Sequence, residues 1–175
     1  MSDTRQRLAT TRGSIPSFPR SGPGEAVDSK RAFQFLVDHQ ARVAELLDRS
    51  KASLAPDQPA DFVAIAAIRW NLMRVLRAYQ LFKHQEIFDP LARSGDDAIA
   101  SEAEVMKQRC VAVGVAYITH ADRWSHGAAI SEWDAYVTEA SKMIGRIERH
   151  LARERTEVEM LFRNVGRTRA HQPKP

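Results

Sequence analysis

Apolar residues recur at steps of three and four along most of the chain, which is the period of a helix face and not of a strand. From Asp28 to Ser50 the stripe is Phe33, Leu36, Val43 and Leu46, and Asp28 or Ser29 is placed to cap its start. A second run follows Pro59, Ala60 and Asp61, carries Phe62, Ile65, Ile68, Leu72, Leu76 and Tyr79, and stops at Pro90 and Gly95. A third begins between Ser94 and Asp97, carries Ile99, Met106, Cys110, Val113 and Tyr117, and ends between Asp122 and Gly127. Its Val111, Val113 and Val115 alternate as a strand would, but no other segment offers that strand a partner, so a helix is expected. The fourth starts at Ser131 as N-cap and shows Trp133, Val137, Ala140, Ile144, Ile147, Val158, Leu161 and Phe162.

Four amphipathic helices joined by short connections predict an all-α fold, an antiparallel up-down-up-down four-helix bundle. The expected organisation is a disordered arm over 1–28, the bundle over 29–165 and a basic tail over 166–175. The first arm is polar and rich in breakers, among them Pro16, Pro19 and Ser21-Gly22-Pro23-Gly24.

Charge changes this picture only at the ends. The net charge of +4 over 175 residues comes from five basic against three acidic residues in 1–30 and four against none in 163–175. The stretch between carries seventeen basic and nineteen acidic residues. The helical part is therefore no basic nucleic-acid surface, although the arms could touch an acidic partner. The richest apolar stretch, Phe62 to Tyr79, is broken by Arg69, Asn71, Arg74 and Arg77, so no membrane span is expected. A single cysteine, Cys110, excludes a disulfide framework, and the N-terminus carries no apolar signal segment; the cytoplasm is the expected location.

Candidate chemistry lies where polar residues interrupt the inward stripes. On the fourth helix the stripe from Ile147 steps to His150, Glu154, Val158 and Leu161, putting an imidazole and a carboxylate one turn apart where apolar residues belong. On the first, His39 is the polar member of Leu36, His39, Val43 and Leu46. On the second, Gln80 and His84 interrupt Met73, Leu76, Ile87 and Leu91. An ionised carboxylate buried without a partner is costly, and a cation removes that cost. His39, His84, His150 and Glu154 are therefore the candidate metal ligands, suited to Fe(II), zinc or another divalent ion. At the matching height on the third helix stand Met106, Gln108 and Cys110, of which the cysteine would suit zinc or copper. His120 and His126, flanking Trp124, read as a helix-end cluster.

These residues resemble the hemerythrin-like (HHE cation-binding) family over about residues 31–162: His39, then Gln80-x-x-x-His84 followed by Phe88 and Pro90, then His150-x-x-x-Glu154. The resemblance implies an antiparallel four-helix bundle holding a non-haem iron pair. Its roles would be binding or sensing of dioxygen or nitric oxide, iron handling or protection against oxidants. The chain departs from the family at Gln80, where a histidine is expected, at His84, where a carboxylate is expected, and on the third helix, which lacks its histidine. A mononuclear or weakened site is what remains, or no metal at all in a helical scaffold or regulatory module derived from that fold. There is no nucleophile beside a base and no second catalytic carboxylate, so no enzymatic activity is expected.

Overall fold

A computed structural model describes residues 28–56, 60–125 and 127–171. The arm expected over 1–28 lies outside these residues apart from Asp28, as do Pro59, His126 and residues 172–175. The described residues are helical, with no strand among them. Helix α1 spans Ser29–Ser53, α2 Phe62–Lys83, α3 Asp89–Ala92, α4 Asp97–Arg123, α5 Ala128–Ser131 and α6 Trp133–His171. Val111, Val113 and Val115 lie within α4, so the alternation there carries no strand.

Local chemistry explains where the helices begin. The first backbone N–H groups of a helix have no partner inside it, and an aspartate can accept from them. Asp28 accepts from Arg31 N, Asp61 from Val63 N and Ala64 N, and Asp96 from Ala98 N and Ile99 N, all at 2.9–3.2 Å. Asp61 is the cap of the long helix that carries the buried Tyr79 and Lys83. Asp61→Ala is expected to lower stability by about 1 kcal/mol, read as a shifted urea midpoint at unchanged slope; no shift would mean that α2 holds its first turn without the cap.

Two segments differ from the sequence pattern. The second run ends at Ala92, between Pro90 and Gly95 as expected, but it is not one continuous α-helix: after α2 it passes through a π-helical turn, His84–Phe88, into α3. Pro90 has no N–H to continue the ladder, and just upstream the chain widens by one residue, the Asp89 N–H reaching back to the His84 carbonyl. Ser131 ends the single turn of α5 and does not cap α6. Gly127, at φ +89°, lets the chain enter that extra turn, and the Ser131 hydroxyl donates to the Ala128 carbonyl. At the other end α6 continues to His171, beyond the expected boundary at 165, with Phe162 and Val165 still buried against the core.

The four long helices pack in a closed circuit: α1 against α2 and α6, and α4 against α2 and α6. Their inner faces meet in one apolar cluster that includes Leu36, Val43, Leu72, Phe88, Ile147 and Val158, and each such side chain contributes about 1.5–3 kcal/mol by leaving water. A smaller cluster of Ile65, Trp124, Ala129, Tyr136 and Ala140 closes the end near the α4–α6 connection. There the Trp124 indole donates to Glu139 Oε2 at 3.0 Å and His120 stacks on Tyr136. No helix among the described residues is long and apolar enough to cross a membrane.

Candidate functional site

In the middle of the large cluster three polar side chains are buried: Gln40 from α1, Lys83 from α2 and Glu154 from α6. A buried carboxylate must find donors and positive charge, and Glu154 has both. Its Oε1 lies 2.6 Å from Lys83 Nζ, the two side chains being 2% and 3% exposed. Its Oε2 accepts from the Tyr79 hydroxyl at 2.6 Å. Gln40 Nε2 in turn donates to the Tyr79 oxygen and to the Leu151 carbonyl, both at 3.0 Å. The Lys83 ammonium also sits 3.9 Å from the Tyr79 ring centre, a favourable place for a cation. One turn back on α6, His150 Nε2 approaches Glu154 Oε1 at 3.3 Å, and the Cys110 thiol from α4 lies within 4.8 Å of the same imidazole.

The electrostatics follow from this arrangement. Burial on its own would raise the Glu154 pKa, but the Lys83 charge first, then the hydrogen bond and charge of His150 and the hydrogen bond from Lys83, bring it down to about 2. For His150, burial lowers the pKa while the hydrogen bonds to Cys110 and Glu154 and the Glu154 charge raise it, and the net direction is up. Tyr79 is pushed well above its ordinary range by burial and by the neighbouring carboxylate, so it stays a hydrogen-bond donor.

Of the four candidate ligands read from the sequence, His150 and Glu154 stand in this centre and His39 and His84 do not join them. Among the described residues the group that could hold a metal ion is Cys110, His150 and Glu154, whose donor atoms lie within 4.8 Å of one another. His39 is stacked on the rings of Tyr79 and Phe82, with centroids 5.5 and 5.0 Å away, and burial lowers its pKa. His84 starts the π-helical turn, where its ring packs beside Phe88 and its Nε2 is shielded from solvent without a hydrogen-bond partner. On α4, Met106 is core and Gln108 is exposed beside Glu104, leaving Cys110 as the member of the trio that reaches the centre.

On two helices the residues that face inward are neighbours of those expected: Gln40 beside His39, and the pair Tyr79 and Lys83 beside Gln80 and His84. One residue along a helix is a rotation of 100°, enough to move a side chain from the centre to the flank. The signal was present in the run Ile65, Ile68, Leu72, Leu76 and Tyr79, whose next step of four is Lys83 and then Ile87, and in Leu36, whose step of four is Gln40. Gln80 instead faces Gly114 of α4, where a Cβ would come within 2.7 Å of its Oε1.

No protein-family model matches the chain, and no curated protein or solved structure matches it either.

Proposed function

We propose that the chain is a hemerythrin-like helical bundle, antiparallel and up-down-up-down, that has exchanged its metal for a lysine and serves as a non-catalytic scaffold or regulatory interaction module. The observation that carries this reading is the Lys83 ammonium on Glu154. Lys83 and Tyr79 stand one turn apart on α2 as Glu154 and His150 do on α6, and together they satisfy both carboxylate oxygens. A pair of irons needs bridging carboxylates and a histidine set; this centre offers one carboxylate, one imidazole and one thiol, with a resident positive charge among them. The residues therefore do not fit the iron pair that the resemblance implies. With the centre neutralised internally, binding falls to the surface of the bundle and to its basic arms, which suit an acidic partner.

The reading that favours metal rests on the Cys110, His150 and Glu154 group, and one experiment separates the two. Any ion bound by the folded state and not by the unfolded chain raises the melting midpoint, by an amount that grows with its concentration over Kd. Purified full-length protein is expected to contain no stoichiometric iron, zinc or copper by elemental analysis and to melt at the same temperature with and without EDTA. A stoichiometric metal whose removal lowers the midpoint would replace this proposal with a metal-binding one.

A further inference from the structure

We infer that Lys83 is the gate of a latent metal site: Cys110, His150 and Glu154 form a donor set for one thiophilic divalent ion of the zinc or cobalt(II) class, held closed by the ammonium that occupies Glu154 Oε1. The inference rests on the proposed metal-free state and explains how that state is maintained.

The donor chemistry is one thiol, one imidazole and one carboxylate, the soft and borderline ligands that select zinc over magnesium or calcium. All three come from the interiors of long helices, Cys110 from α4 and His150 and Glu154 from α6, so the backbone that carries them is rigid. Their donor atoms already lie within 4.8 Å of one another, and a tetrahedral ion at its ordinary bond lengths needs them about 3.5 Å apart. A cavity of about 20 Å³ is lined by Tyr79 and Lys83 together with two of the three donors, Cys110 and His150, and it has the size of a single water or ion. Glu154 is held from behind by Tyr79, and Tyr79 by Gln40, the kind of outer support that fixes a ligating carboxylate. Against all this stands one feature: the Lys83 ammonium takes the carboxylate oxygen an ion would take, and its charge repels a divalent cation a few ångströms away. Binding would also release to solvent the Cys110 proton and any proton on the ligating His150 nitrogen, since the thiolate and the neutral imidazole are the ligands.

The test uses the full-length chain under reducing conditions with Co(II) chloride as probe. Lys83→Ala is expected to bind one Co(II) per chain at least about 100-fold more tightly than the wild type, the scale set by removing one like charge at contact range. Thiolate-to-cobalt charge-transfer absorption should appear on binding and vanish in Lys83→Ala, Cys110→Ser. Binding by Lys83→Ala no tighter than by the wild type, or a band that survives loss of Cys110, would overturn the inference. Weak binding by both proteins leaves the metal-free reading of the wild type standing, whereas tight binding by both removes that reading as well. Lys83→Gln, which keeps a hydrogen-bond donor for Glu154 without the charge, serves if the alanine variant does not fold. If neither variant folds even when refolded with Zn(II), the inference also fails, because the ion is expected to take over the lysine's place.

Discussion

Replacing Lys83 by methionine is expected to destabilise the fold by about 3–5 kcal/mol, a large part of the 5–15 kcal/mol that holds a domain of this size together. The cost does not come from lost attraction alone. An ion pair inside a protein recovers little more than the energy spent in drying its two charges, so the pair as a whole adds little to stability. Removing one partner is different, because Glu154 then stays buried as an uncompensated anion with only Tyr79 and His150 to serve it. The same logic predicts the rescue. Lys83→Met combined with Glu154→Leu removes both charges at nearly conserved volume and should recover most of the loss in urea unfolding. If the double variant instead loses the sum of the two single losses, the side chains are not coupled and the buried pair is not the centre of the network.

Acid is expected to remove about 3 kcal/mol through the same carboxylate. Glu154 has a folded pKa of about 2 against an ordinary value of 4.5, and each unit of difference is worth about 1.4 kcal/mol. Because the folded value is the lower one, the unfolded chain takes up the proton first. The contribution is therefore fully present above about pH 4.5 and is lost as the pH falls from there through 2. His150 acts in the opposite sense: its folded pKa is raised, so its share is present below about 6.5 and fades as the pH rises through the folded value. Urea midpoints of the wild type and of Lys83→Met, Glu154→Leu, followed from pH 6 to pH 3, isolate the pair from the other carboxylates. The wild type should lose stability more steeply toward pH 3; parallel curves would mean that Glu154 is not held ionised by its surroundings.

How much of this centre was legible in the sequence depended on the helix. On α6 it was plain, since Ile147, Val158 and Leu161 are completely buried and His150 and Glu154 lie on the stripe that joins them. Glu154 duly sits at 2% exposure. On α4, Cys110, one of three candidates at that height, is the one whose donor atom lies with those of His150 and Glu154. On α1 and α2 two neighbouring stripes fit the apolar pattern, and it is Gln40, Tyr79 and Lys83, not His39 and His84, that join the network around Glu154. Lysine is so seldom buried that a stripe running through Lys83 gives no sign of a buried position. The pattern could not announce that a carboxylate on a helix seventy-one residues away would neutralise it.

The order of residues alone settled the four long helical runs, a cap at Asp28 or Ser29 for the first and the apolar faces that must be buried, because these depend on spacing along one chain and on groups within one turn; the caps at Asp61 and Asp96 and the short turns α3 and α5 emerged only in the structure. Which edge of each face reaches the centre was decided only by tertiary packing. A helix stripe is about a hundred degrees wide, and the rotation within it is chosen by how four such surfaces interlock. That rotation put Tyr79 and Lys83, not Gln80 and His84, opposite His150 and Glu154.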